Sequence, residues 1–226
     1  MNTNWLIVAA TAAEIQSFTA YLSENATLPD EMHYVFGDKN ITVLITGVGL
    51  TQTAYHLGAV LARQSFDLAI NAGIAGAIKR SVALGEVVEV SSEIFGDTGA
   101  ETATGSFIDI HEMGLIPPDM PPFLRGELLN PNAGATGLPQ VKGLSVNKVH
   151  GYLPSITEMM IHYDADIETM EGAAFFYACL SASQPFMQIR SLSNYVEPRD
   201  RSKWNIPLAV QTLNTKLIEL IQQAKP

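Results

Sequence analysis

Residues 168–180, "ETMEGAAFFYACL", begin as a strand would end and finish as a helix apolar on every side, with one carboxylate, Glu171, at the join. A helix without a polar face is covered by other structure, so this segment reads as a strand feeding a helix packed on a sheet. Working outward, short β-rich runs ("NWLIVAA", "ITVLITG", "DLAINAG", "EVVEVSS", "FMQIR") alternate with helical patterns such as "TAAEIQSFTAYL", "LTQTAYHLGAVLARQ" and "IPLAVQTLNTKLIELIQQ". The chain is therefore α/β. Several strands are apolar on both faces, as in a sheet covered by helices on each side, and such sheets bind ligands at the carboxyl ends of their strands.

The full 226 residues fit one domain, 1–226, with 47% hydrophobic residues to supply its core. Residues 96–139 interrupt the alternation: they are rich in Gly and Pro, and their interleaved Phe, Ile, Met and Leu predict a long packed excursion over plain disorder. A formal net charge of −10 argues against nucleic acid or an anionic membrane surface as partner. No apolar run is long enough to span a bilayer, and no Lys or Arg precedes Lys39, so "WLIVAATAA" lacks the positive flank of a secretion signal and reads as a first strand. The single cysteine, Cys179, excludes an internal disulfide and suits a reducing compartment, so a soluble cytoplasmic protein is expected. Five scattered histidines (33, 56, 111, 150 and 162) give no ligand spacing; neither a metal nor a cofactor is expected.

Four polar features fall at strand ends: Glu14 in "AATAAEI", the glycines of "NAGIAGA", Glu171 in "ETMEGAA", and Asn194 in "SLSNYVEPRDRSKW". Each has a plain alternative. Glu14 suits a solvated helix, the glycines and Asn194 suit turns, and Glu171 suits the first turn of its own helix, where the backbone dipole favours negative charge. Two carboxylates and an amide at successive strand ends nevertheless look like a small-molecule site, because a buried carboxylate must find a polar partner. The G-x-G in "TGVGLTQ" lacks the third glycine and acidic partner of a dinucleotide site.

The order of "AAEI", "TGVG", "NAGIAGA", "ETMEGAA" and "RSLSN" resembles the purine nucleoside phosphorylase and methylthioadenosine nucleosidase superfamily over almost the whole chain. The stretches "SNYVEPRDRSKW" and "FGDTGAETATGSF" resemble, more narrowly, the futalosine hydrolases of an alternative menaquinone pathway. The resemblance implies a three-layer sandwich with a central mixed sheet flanked by helices, a nucleoside substrate, and a homodimer or larger homo-oligomer whose long loop reaches a neighbouring subunit.

It also implies roles. Met170 and Glu171 would pack on and hydrogen-bond the ribose, and Glu14 would activate water below the anomeric carbon, with Gly73 and Val149 as further substrate contacts. Phosphorolysis fits less well, because "AATAAEI" has neither the glycines nor the arginine that many phosphorylases use for phosphate, and Glu14 would repel the anion. Asn194 stands where adenine-specific nucleosidases carry Asp; its amide can donate to a 6-keto oxygen, which suits hypoxanthine. The aryl carboxylate of futalosine needs a cation and apolar walls, for which Arg199, Arg201, Trp204, Phe107 and Ile108 are candidates; surface ion pairing with Glu197 and Asp200 explains the arginines equally well. Another purine nucleosidase or phosphorylase, or a non-catalytic nucleoside-binding module, stays open from sequence.

Overall fold

Strand β1 (Thr3–Ala9) is buried along most of its length, and its residues alternate between two cores. Leu6 and Val8 face one; Trp5, Ile7 and Ala9 face the other. Such a strand forms only in the interior of a sheet covered on both sides, as the sequence implied. The structure, a computed structural model, describes residues 2–27 and 31–223.

The remaining strands are β2 (His33–Phe36), β3 (Lys39–Ile45), β4 (Leu68–Ala77), β5 (Val87–Phe95), β6 (Gly99–Glu101), β7 (Phe107–Asp109), β8 (Leu128–Leu129), β9 (Gln140–Ser145), β10 (Ile167–Thr169) and β11 (Phe186–Tyr195). The helices are α1 (Gln16–Asn25), α2 (Leu50–Leu61), α3 (Leu153–His162), α4 (Gly172–Ser181) and α5 (Ile206–Gln223), with 3₁₀ turns at Ala12–Ile15 and Arg201–Lys203. The main sheet runs β10-β9-β5-β11-β4-β1-β3-β2, with β8 beside β5. It is mixed: β3, β1, β4 and β11 are parallel, whereas β11 meets β5 antiparallel. β10 also pairs antiparallel with β4, so β4, β11, β5, β9 and β10 close into a small barrel at one end of the sheet.

α4 earns its place in the core by composition. Gly172 through Phe176 and Cys179 are buried, and Phe175, Phe176 and Phe186 of β11 pack edge to face with centroids 4.8–6.4 Å apart. α2 packs with α4 on this face; α1 and α5 cover the other through Phe18, Leu22, Leu213 and Leu217.

Residues 96–139 are less bare than the sequence suggested. β6 and β7 form a hairpin, and Leu128 of β8 is fully buried beside β5. The middle of the segment leaves apolar side chains in solvent, Leu115 (67% exposed) and Met120 (51%) among them. No helix of the described residues is long and apolar enough to cross a membrane.

Candidate active site

Strand β4 is the spine of the site, and two of its glycines set the spacing. At Gly73, paired with Arg190 of β11, an added Cβ would lie 2.1 Å from Arg190 Nη1 and 3.0 Å from Glu14 Oε1. Three residues on, Gly76 is paired with Asn194 on one side and with Glu168 of β10 on the other. A cavity of about 450 Å³ opens over this stretch, walled by Glu14, Val48, Gly76, Val149, His150, Glu168, Met170, Glu171, Asn194, Arg199 and Trp204 among others. That volume suits a nucleoside-sized ligand.

Glu14 is held at both carboxylate oxygens. The chain after β1 turns at Thr11, whose backbone N–H and hydroxyl donate to Glu14 Oε2 at 3.0 and 2.9 Å; Ile74 N–H donates to Oε1 at 3.2 Å. The side chain is thus aimed at the cavity floor instead of outward from a solvated helix. Glu171 resolves differently from its plain alternative. It is the residue before α4, yet it makes no capping bond there; its Oε1 accepts from Gly49 N–H at 3.1 Å, at the start of α2. Gly49 has φ 100°, a conformation that favours glycine and turns this N–H toward the cavity. The carboxylate therefore sits at the positive end of the neighbouring helix. Burial pushes the Glu171 carboxyl above its ordinary range, opposed by the Arg190 charge and the Gly49 bond.

Arg190 carries a signal that the strand pattern "FMQIR" hid: it is fully buried. Its guanidinium lies 3.7 Å from Glu171 Oε2, yet none of its nitrogens makes a hydrogen bond among the described residues. A buried guanidinium this close to Glu171 offsets part of that carboxylate's charge. An arginine at the end of a strand with an otherwise apolar run was the available clue. "AATAAEI" still carries no arginine, as read from the sequence; Arg190 comes from β11, and a guanidinium sealed from solvent is not an open phosphate cradle.

Asn194 is re-aimed by a register shift between Leu192 and Asn194 in β11, the effect a bulge has next to a site. Its Nδ2 donates to Tyr195 O at 3.0 Å and its Oδ1 accepts from Ser193 Oγ at 2.8 Å, which fixes the amide and leaves one N–H free for a ligand.

The other expected residues divide. Met170, Val149, Arg199 and Trp204 line the cavity, with the Arg199 guanidinium 4.8 Å from the Trp204 ring centroid. Gly73 does not line it: the glycine exposed to the cavity is Gly76, and Gly73 lies beneath, where Arg190 and Glu14 leave no room for a side chain. Arg201 also lies outside, exposed and stacked on the far reach of Trp204 at 5.8 Å. Phe107 and Ile108 are not cavity walls. β7 carries them away, and Phe107 packs instead on His162 and Tyr163. The alternative ion pairs are absent as well: among the described residues Glu197 pairs with Arg80 and Lys203, and Asp200 caps the turn at Ser202, so neither arginine is held by them. The sequence reading missed His150 and Glu168, which wall the cavity opposite Asn194.

This arrangement, a mixed sheet with Glu14 from the turn after β1 and Glu171 from the start of α4 at one cavity, coincides with what comparison shows. Residues 5–222 match the model of the phosphorylase superfamily, and the chain belongs to that family. It is 31% identical to a futalosine hydrolase of Acidothermus cellulolyticus over 94% of this chain and 88% of that protein, and 30% identical to one of Thermus thermophilus over 80% of each. A 5′-methylthioadenosine/S-adenosylhomocysteine nucleosidase of Colwellia psychrerythraea is 29% identical over 69% of this chain and 67% of its own. The fold superposes on the S-adenosylhomocysteine nucleosidase of Streptococcus pyogenes with a TM-score of 0.81 at 18% identity, covering 100% and 98% of the two chains. On the futalosine hydrolase of Helicobacter pylori the score is 0.78 at 13% identity, with 98% of each covered.

Proposed function

We propose that this protein is a nucleosidase that hydrolyses the N-glycosidic bond of futalosine, releasing hypoxanthine and dehypoxanthine futalosine within the futalosine route to menaquinone. The observation that carries the reading is that Glu14, Glu171 and Asn194 wall one cavity over β4: two carboxylates for the sugar end, a fixed amide for the base end. Relatives of about 30% identity named futalosine hydrolase support the substrate.

The chemistry follows from the geometry. Glu14, held by Thr11 and Ile74, orients a water and accepts its proton as the glycosidic bond stretches. Glu171 accepts from ribose hydroxyls, bonds that strengthen as the ring gains oxocarbenium character, and Arg190 offsets the Glu171 charge throughout. Asn194 donates to the 6-keto oxygen of the departing base, whose charge is delocalised onto that atom. Arg199, without a carboxylate partner among the described residues and backed by Trp204, is the cavity-lining cation for the substrate's aryl carboxylate. The exposed Leu115 and Met120 of the long segment support a homodimer or larger homo-oligomer.

The test is a substrate panel. Comparison of kcat/KM for futalosine, inosine and methylthioadenosine, with the released base identified, should favour futalosine. A preference for methylthioadenosine would reassign the substrate, and cleavage of none would make the chain a binding module.

A further inference from the structure

β7 ends at Asp109, and the turn that follows brings Glu112 back beside it. Asp109 Oδ1 accepts from the backbone N–H of His111 and of Glu112, both at 2.8 Å, and Glu112 Oε2 accepts from Asp109 N–H at 3.0 Å. These bonds fix both carboxylates and leave Asp109 Oδ2 facing His162, the last residue of α3. His162 is fixed in turn by edge-to-face packing on Phe107 and Tyr163, with ring centroids 5.6 and 4.5 Å away. One oxygen of each carboxylate and a ring nitrogen of His162 all lie within 4.8 Å of one another.

Hydrogen bonding does not account for this approach. His162 Nε2 stands 3.6 Å from Asp109 Oδ2 and 3.5 Å from Glu112 Oε2, beyond the usual N–H···O range of about 2.7–3.2 Å. Donor atoms about 2.0–2.2 Å from a shared tetrahedral ion stand about 3.4 Å from each other, close to the spacing seen here. Charge points the same way. The three residues wall a cavity of about 410 Å³ whose other acids, Glu127 and Asp164, have Lys142 and Lys79 as partners, whereas among the described residues Asp109 and Glu112 meet no Lys or Arg.

A second observation points to a polar ligand at the same place. Tyr163, in the same cavity wall, is 9% exposed, and its hydroxyl is sealed from solvent with no hydrogen-bond partner among the described residues. Burial, and after it the charges of Asp109, Glu112 and Asp97, push the pKa of this hydroxyl upward, so it stands near enough to both carboxylates to feel them. A sealed phenol needs a partner that the chain does not supply, and a water on a bound cation supplies one. We propose that Asp109, Glu112 and His162 form a site for a first-row divalent transition ion, represented by Zn²⁺, with a water on the ion reaching the Tyr163 hydroxyl. Two carboxylates neutralise such an ion, and an imidazole donor suits it better than Mg²⁺ or Ca²⁺, which take oxygen. None of the four residues lines the nucleoside cavity, so the ion ties the β6–β7 hairpin to α3 without entering the cleavage step, and the proposal stands apart from the nucleosidase reading.

The test strips the full chain with EDTA, removes the chelator, and titrates Zn²⁺ by calorimetry into wild type, His162→Gln and Glu112→Gln, with thermal unfolding midpoints taken with and without Zn²⁺. Wild type should show a saturable Zn²⁺ site and a midpoint that rises as the site fills. Each variant should bind at least about tenfold more weakly, because a lost ligand costs no less than a lost outer-shell partner, and its midpoint should not rise at the same Zn²⁺ concentration. The two changes fall on different elements, at side chains 21% and 52% exposed; the midpoint without Zn²⁺ shows that each variant is folded, and if one is not, the other decides. A His162 that is simply an imidazolium between two carboxylates leaves wild type with no saturable Zn²⁺ site; that result, or an unchanged Kd in a folded variant, overturns the proposal.

Discussion

Glu14 accepts three hydrogen bonds, from Thr11 N–H, the Thr11 hydroxyl and Ile74 N–H; glutamine keeps its volume but turns an NH2 toward one of these donors, so the urea midpoint of Glu14→Gln is measured beside its activity. Glu14→Gln should lower kcat by roughly 10²-fold or more while ligand binding stays measurable, the usual loss for a general base. Near-full activity would remove Glu14 from the water-activating role. Gly73→Ala tests the packing beneath. Its new Cβ would meet Arg190 Nη1 at 2.1 Å, and a fully buried guanidinium has nowhere to retreat, so the change should cost about 1–3 kcal/mol of stability and displace the carboxylates above it. Gly76→Ala, whose Cβ would meet Val196 Cγ2 at 3.0 Å and the Asn194 amide at 3.4 Å, is the milder comparison for stability. If both glycine variants unfold at the wild-type urea midpoint, the close packing at Gly73 is wrong. At this scale the sequence showed which residue types sit at strand ends, and Glu14, Glu171 and Asn194 were legible for that reason. Glu168 and Arg190 were not, because their places come from pairing with Gly76 and Gly73 across strands more than 90 residues away in sequence.

At the scale of elements, β5 carries Glu93, a fully buried carboxylate under the site. It accepts from Gln188 Nε2 at 2.6 Å, Ser145 Oγ at 2.8 Å and Thr169 Oγ1 at 3.3 Å. Burial nevertheless pushes its carboxyl up to about 7 from an ordinary 4.5, with those bonds and the Arg190 charge opposing. A folded value above the unfolded one means that the unfolded chain releases its proton first. The stability Glu93 contributes is thus full below about pH 4.5, falls as pH rises to about 7 and is flat beyond, a loss on the order of 3 kcal/mol. Urea unfolding of wild type and Glu93→Gln at pH 4.5 and pH 8 should show the stability difference between them shifting toward the variant at the higher pH. An unshifted difference would mean that Glu93 is ionised in the fold throughout. The helices and main strands were legible from periodicity, since α4 and β1 are apolar on all sides. The barrel closure through β10 was not, because three residues give no pattern of their own. Nor was the β6–β7 hairpin, whose strands of three residues each are set by their partner and not by alternation.

For the whole molecule, the account holds that one cavity brings the two carboxylates to the sugar and an amide to the base, so that water is the nucleophile and a 6-oxopurine the leaving group. Arg190 offsets part of the Glu171 charge but stays sealed against Gly73, so among the described residues the cavity floor has no open cation to seat a phosphate. The most direct measurement is product mass spectrometry on futalosine turned over in phosphate-free and in phosphate-containing buffer, each with and without EDTA. The account predicts hypoxanthine and the free sugar product in all four, formed at the same rate. A sugar 1-phosphate, or turnover that requires phosphate, would contradict it.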